Sequence, residues 1–182
     1  MTTTKWVLDP THSELGFKIK HLMISNISGS FQQFQVEVET EGDDFSTAQI
    51  RATAEIASIH TNNEQRDHHL RNSDFFEAET YPQLSFQSTA IEKLDEDTFF
   101  VYGDLTMKGV RKPVKLQVEY SGITKDPWGG VRAGYTIIGK LNRSDWGISF
   151  NGVLETGGLA LSEEVKLFSE IQLVKQLEAV LA

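Results

Sequence analysis

Apolar and polar residues alternate along almost the whole chain, with the period of two that a half-buried β-strand imposes. Phe17, Ile19 and His21 stand opposite Lys18 and Lys20, and Val36 and Val38 alternate with Glu37 and Glu39. Ile50, Ala52, Ala54 and Ile56 alternate with Arg51, Thr53 and Glu55. Leu84 with Phe86, then Val101, Gly103, Leu105 and Met107, then Val114, Leu116 and Val118 repeat the pattern. Tyr135, Ile137 and Leu141, followed by Val165, Leu167 and Ile171, bring the reading to about eight strands. Turn chemistry separates them at Glu41-Gly42-Asp43-Asp44, Asp95-Glu96-Asp97, Lys108-Gly109 and Asp126-Pro127-Trp128-Gly129-Gly130. Connections this short predict an antiparallel, up-and-down order. An eight-stranded sheet of that kind removes its edges by closing into a barrel. No linker, composition shift or internal repeat divides the chain, so residues 1–182 are read as a single all-β domain.

One stretch breaks the alternation. Asp67-His68-His69-Leu70-Arg71-Asn72-Ser73-Asp74-Phe75-Phe76 combines bases, acids and bare aromatics ahead of Tyr81-Pro82. It predicts a short helical lid, with its polar side in water and Leu70, Phe75 and Phe76 plugging something apolar. Ala52, Ala54, Ser88, Gly103 and Gly139 sit within or beside the apolar faces, so the interior is not uniformly bulky. Eight strands is the size at which side chains either fill a barrel or leave room for one small ligand. Periodicity alone leaves both open.

Composition narrows the classes. A chain of 182 residues is long enough to bury roughly 70% of the surface its unfolded form exposes. It contains no cysteine, which excludes disulfides, thiol nucleophiles and thiolate metal sites. Eleven Phe, four Tyr and three Trp call for a lined interior. The formal charge of −9 disfavours nucleic acid as a partner, since no basic cluster appears beyond Arg66 to Arg71. The same charge disfavours electrostatic adhesion to an anionic membrane. No window approaches twenty apolar residues, so no membrane-spanning helix is expected. The start Met1-Thr2-Thr3-Thr4-Lys5-Trp6 lacks an apolar signal core. That sets the cytoplasm as the expected compartment, with the periplasm as the alternative if a leader has been removed.

Catalytic and metal motifs are weighed and set aside. His12, His21, His68 and His69 invite a metal, yet their spacing matches no local ligand motif, and they are read instead as capping loops or bonding carboxylates such as Asp67 and Asp74. His12 and Ser13 are adjacent in an extended segment and so point apart, which is poor geometry for a nucleophile and its base. Asp95-x-Asp97 places Phe100 and Thr106 where a calcium loop needs Gly and Glu, and reads as a hairpin turn. No catalytic residue, metal ligand or cofactor is assigned. Trp6 and Trp146 are expected to plug the barrel's ends, and Arg143 to pair locally with Asp145.

Read in order, Trp6-x-x-Asp9-x-x-His12-Ser13-x-x-x-Phe17-x-x-x-His21, Gly29-Ser30-Phe31, Asp67-His68-His69-Leu70-Arg71, Asp74-Phe75-Phe76 and Tyr81-Pro82-Gln83-Leu84-Ser85-Phe86 resemble the YceI-like family. Gly103-Asp104-Leu105-Thr106-Met107-Lys108-Gly109-Val110 and Asn142-Arg143-Ser144-Asp145-Trp146-Gly147 extend the resemblance over residues 5–175. It implies an extended lipocalin-like eight-stranded antiparallel barrel holding a long-chain isoprenoid lipid, such as a polyprenyl phosphate or polyprenyl quinone, with no established catalytic set. A homodimer is also compatible with it. By alternation and by position in the matching pieces, Phe17, Ile19, Phe31, Phe34, Ile56 and Leu70 are candidate lining residues. Phe75, Phe76, Phe86, Leu105 and Met107 join them. Arg66, His68, His69 and Arg71 are candidates for a cationic mouth that orients a polar headgroup, against the alternative of pairing with Glu64, Asp67 and Asp74.

Two features depart from the family pattern: the extra His69 in the lid, and residues 176–182 beyond the last strand. Leu173, Leu177, Val180 and Leu181 share helix-like spacing there, open to a docking helix or a loosely packed tail. The expected function is carriage or sequestration of the lipid. An enzyme acting on a lipid or quinone, and a filled-barrel interaction protein, are the alternatives.

Overall fold

The computed structural model describes residues 2–152 and 160–176. In chain order the elements are β1 (Thr3–Leu8), β2 (Glu14–His21), β3 (Ser25–Phe31), β4 (Phe34–Glu41), β5 (Asp44–Glu55), β6 (Ile59–His60), the helix α1 (Glu64–Arg71), β7 (Gln83–Lys93), β8 (Thr98–Met107), β9 (Val110–Lys125), β10 (Val131–Asn142) and β11 (Leu161–Lys175). Every strand pairing is antiparallel, and the order β1-β4-β5-β7-β8-β9-β10-β11 closes on itself through β1 and β11. Among the described residues the result is an eight-stranded barrel with one short α-helix.

The staves are not quite the eight segments read from alternation. β2 lies outside the ring, paired with β11, and continues through β3 to the two-residue β6 as a side sheet. β1 takes its place. Its apolar face is only Thr4, Trp6 and Leu8, too short a run to register as a periodic strand, and Ser25–Phe31 carries little but Ile27 and Phe31. The hairpin turns fall where Gly and Asp predicted them. At Lys108-Gly109 both residues are left-handed, with φ of 49° and 74°, which matches the twist of the flanking strands. At Asp95 the carboxylate accepts from the Asp97 and Thr98 amides, a turn-closing arrangement that holds its pKa below the usual range.

β11 changes partner part-way along its length, and the residues around His12 manage the exchange. Gln172 accepts from the Asp9 amide with its carbonyl and donates its own amide to Ser13 Oγ at 2.9 Å. Between those contacts the 3₁₀ turn Pro10–His12 is capped by Asp9, which also meets His12 Nδ1 at 2.8 Å. Arg132 of β10 spans the junction, paired with Asp9, with Asp126 at 3.0 Å and with Gln172 Oε1 at 2.9 Å. Hydrogen bonding from Thr11, outweighing burial and helped by His12 and Arg132, holds Asp9 well below the ordinary carboxylate range. Asp126 is lowered first by Arg132 and then by backbone amides. Such carboxylates stabilise the fold above their unfolded pKa of about 3.9, and the contribution is lost as pH falls through the lower folded values. Arg132→Met is therefore expected to lower the melting temperature at pH 7, with the deficit shrinking below about pH 4 as wild type loses the same interactions. Thermal melts from pH 7 to pH 2 check this, and a deficit that stays constant would contradict it.

Buried side chains gather at the two ends of the barrel. One cluster joins Trp6, Val38, Phe45, Phe99, Val101, Tyr135 and Leu173; the other joins Phe31, Ile59, Phe75, Leu105, Leu141 and Trp146. Both tryptophans are plugs, Trp6 donating to Thr40 Oγ1 and Trp146 to the Leu105 carbonyl, each at 2.9 Å. Leu173, counted above toward a terminal helix, is a strand residue facing the core opposite Ala133. The rest of that expectation, on residues 177–182, lies outside the described residues. No described helix is long and apolar enough to cross a membrane.

Candidate functional site

Between the two clusters the inward faces do not meet. Phe34 and Phe86 touch both clusters, and Val36, Ile50, Leu116, Ile137 and Leu167 also point inward, yet all are only half-buried because they face a cavity of about 820 Å³. That is within the about 300–1,000 Å³ typical of sites that enclose a small organic ligand. The barrel is not filled.

Gly103 shapes one wall. A Cβ there would lie 2.4 Å from Phe86 Cζ and 2.5 Å from the Gln87 carbonyl oxygen, so the Phe86 ring rests directly on the β8 backbone. Gly103→Val is expected to push that ring into the cavity and cost about 1–3 kcal/mol, by the usual penalty for overpacking. Chemical denaturation measures it, and an unchanged midpoint would contradict the placement.

All the candidate lining residues except Ile56 border this cavity: Phe17, Ile19, Phe31, Phe34, Leu70, Phe75, Phe76, Phe86, Leu105 and Met107. Ile56 does not, because the 3₁₀ turn Ile56–Ser58 ends the strand period there. It packs wholly inside the second cluster, its amide bonded to the Pro82 carbonyl. The wall also includes Phe45 and Tyr135, whose rings stack at 4.6 Å at the apolar end, where burial pushes the Tyr135 phenol pKa up.

The other end is polar, formed where β2, β3, β6, β10 and β11 run out beside α1. His21, Ser25, Thr61, Arg66, His69, Arg143 and Asn151 border the cavity there, and among the described residues no Asp or Glu lines its wall. Local structure positions each. Asn63 caps α1 by accepting from the Arg66 amide, and buried Asp67 accepts from the Thr61 amide and hydroxyl, fastening the helix to β6. Arg66 then donates from Nε to Thr61 Oγ1 and from a terminal nitrogen to the Thr61 carbonyl, and among the described residues no carboxylate pairs with it. His69 meets Asp74 Oδ2 at 2.8 Å and sets its ring edge-on to Phe75 and Phe150.

Two of the proposed headgroup residues are elsewhere. His68 is exposed, one helical step round from His69, and Arg71 reaches back to Glu64 at 3.6 Å and the Ala57 carbonyl. Arg143 is the larger correction. It does not pair with Asp145; its side chain is 5% exposed and donates to the carbonyls of Ser162, Ile148 and Phe150, with Glu163 at 4.0 Å. Burial lowers its pKa, and one terminal nitrogen has no hydrogen-bond partner among the described residues. Among those residues no three His, Asp or Glu side chains converge as a metal cage.

The model of the YceI-like domain matches residues 6–173. A UPF0312 protein of Staphylococcus aureus is 42% identical over 164 residues, which span 90% of this chain and 93% of that protein. Among solved structures, a Campylobacter jejuni YceI protein superposes with a TM-score of 0.75 at 33% identity, over 93% of this chain and 97% of its own. Two more distant structures share the fold. BcnA of Burkholderia cenocepacia has a TM-score of 0.79 at 21% identity, covering 91% and 98% of the two chains. A polyisoprenoid binding domain from Saccharophagus degradans has 0.68 at 14%, covering 92% and 97%. Matched over nearly its whole length, and carrying the barrel that these proteins share, the chain belongs to the YceI-like family.

Proposed function

We propose that this protein binds a long-chain isoprenoid lipid and carries or sequesters it without chemical turnover, the tail in the barrel and the headgroup at the polar end. The observation that carries the reading is the cavity's polarity: among the described residues, an apolar interior ends in two guanidinium groups and two imidazoles with no carboxylate on the wall, in a chain of net charge −9. Each methylene taken from water contributes about 0.8 kcal/mol, so a partly enclosed tail supplies affinity but little selectivity. Selection falls to the mouth, where Arg66 bonds Thr61 through Nε and one terminal nitrogen and turns its other terminal nitrogen to no partner among the described residues. A bound headgroup of diphosphate type would accept charge-assisted hydrogen bonds from it. The fold shared with a polyisoprenoid binding domain supports the same ligand class.

The test is ligand-induced stabilisation. A polyprenyl diphosphate or polyprenyl quinone at about one hundred times its Kd stabilises the native state by about 2.7 kcal/mol. For a chain of this size that is a rise in Tm of roughly 5–10 °C. Arg66→Gln is expected to reduce the shift for the diphosphate, and the salt sensitivity of that shift, while leaving the quinone's unchanged. If neither lipid raises Tm, isoprenoid binding is wrong; equal losses for both would place Arg66 in lid structure instead of headgroup selection.

A further inference from the structure

The β2–β3 hairpin ends in Leu22, Met23 and Ile24, which are 37%, 60% and 83% exposed. Leu22 and Met23 occupy the two central turn positions in left-handed conformation, with φ of 54° and 61°. Such a turn favours Asn-Gly, so bulky apolar side chains there gain nothing from turn geometry, and Met23 and Ile24 stay largely uncovered. Their location is specific. His21 and Ser25, on either side of the tip, border the polar end of the cavity, and the Leu22 amide donates to the carbonyl of Ala160, another wall residue.

Behind the tip, on the outer wall, lysines line up across three strands. Lys140 is the direct cross-strand partner of Lys166, and Lys166 of Lys18, with Lys20 next along β2. Like charges placed opposite one another on a sheet are destabilising by themselves. All four are exposed, and among the described residues none forms an ion pair. Glu164 and Glu170, two and four residues from Lys166, are the acids on the same exposed face of β11, and no acidic residue occurs between Glu14 and Glu37 in the sequence. Exposed Phe168, paired across the sheet with Ile138, adds apolar surface beside the row.

We propose that this face docks on an anionic lipid bilayer, with Leu22, Met23 and Ile24 entering the interface and the lysines held against the headgroups, so that the cavity mouth opens toward the membrane. The dimensions agree. At about 3.3 Å per strand residue, Lys20 and Lys18 lie about 3 and 10 Å behind His21, where the turn begins, so a tip buried about 5–10 Å keeps the long lysine side chains near headgroup level. The net charge of −9 opposes approach from a distance. It is overcome only at contact, where local charge decides because screening limits the rest to about 10 Å at 0.1 M salt. The surface operates independently of what the cavity holds.

The test is flotation of the full chain with lipid vesicles, either of phosphatidylcholine alone or of an equal mixture with phosphatidylglycerol. Wild type is expected to partition about tenfold more onto the anionic vesicles at low salt. Met23→Asp/Ile24→Asp should lose about tenfold on both compositions, and Lys18→Glu/Lys166→Glu about tenfold on the anionic one alone. Lys93→Glu/Lys125→Glu makes the same change of charge away from this face and should bind like wild type. The proposal is overturned if wild type does not bind, if the two lysine pairs behave alike, or if light scattering finds a dimer that Met23→Asp/Ile24→Asp dissociates. Failure here, with lipid-induced stabilisation intact, would leave the binding function standing.

Discussion

Phe86→Asp is expected to abolish lipid retention, lowering affinity by more than about a hundredfold, while the neighbouring Gln87→Asp leaves it unchanged. The two positions differ only in direction. Phe86 points inward, between Ala52 and Leu105 as its cross-strand partners, and borders the cavity; Gln87 is exposed on the outer face. An aspartate in the apolar wall must either stay protonated or bring water with it, and both remove the apolar surface that an isoprenoid tail would cover. The same substitution deletes a ring that packs on both core clusters, so a stability loss of about 3–5 kcal/mol accompanies it. Circular dichroism must show a folded barrel before retention is scored. Phe86→Ala, which leaves space without charge, is the companion variant and should keep measurable binding. Normal retention by a folded Phe86→Asp protein would put the ligand outside this cavity.

The second large effect is expected at Arg143. Its guanidinium joins the end of β10 to the Ile148–Phe150 segment and to the start of β11 through three backbone carbonyls. Arg143→Met keeps the volume and removes every donor, leaving buried acceptors unmatched. A loss of about 3 kcal/mol is expected, since each such group costs about 1–3 kcal/mol and some reach water instead. Arg143→Lys should rescue little, because one ammonium cannot reproduce a planar fork that serves acceptors in three directions. Urea denaturation of the three proteins measures this. If the lysine variant matches wild type, charge alone holds the site and the fork is irrelevant.

Much of this architecture was legible because a barrel with one wet and one dry face writes itself as alternation. Hairpins at Lys108-Gly109 and Asp126 to Gly130 were marked by residues that tolerate their turns. Three elements left little trace. β1 and β3 are short of apolar residues, and the two-residue β6 is below any periodic signal.

For the cavity wall, alternation located the inward faces but stopped being a guide where strands end. Ile56 continued the pattern by count, and a 3₁₀ turn took it into solid core. His68 and His69 are chemically alike, and only the helical phase of α1 separates an exposed ring from one at the cavity. Arg143 was obscured by its own neighbour, since Asp145 offered an obvious local partner while the true acceptors are carbonyls that no sequence pattern advertises. Phe150 and Asn151 at the mouth lie in irregular backbone, where position depends on tertiary contacts: Asn151 bonds both the amide and the carbonyl of Leu161. Their placement had no local signature to read.

The central claim is that the barrel holds a lipid, and the most direct measurement is organic extraction of protein purified without detergent, followed by mass spectrometry of the extract against protein concentration. An apolar cavity of about 820 Å³ is poorly solvated when empty, so a long-chain isoprenoid is predicted at close to one molecule per protein, reduced in parallel preparations of Phe86→Asp. Extracts that repeatedly hold less than about one lipid per ten proteins, together with no rise in Tm on adding polyprenyl lipids, would contradict the account.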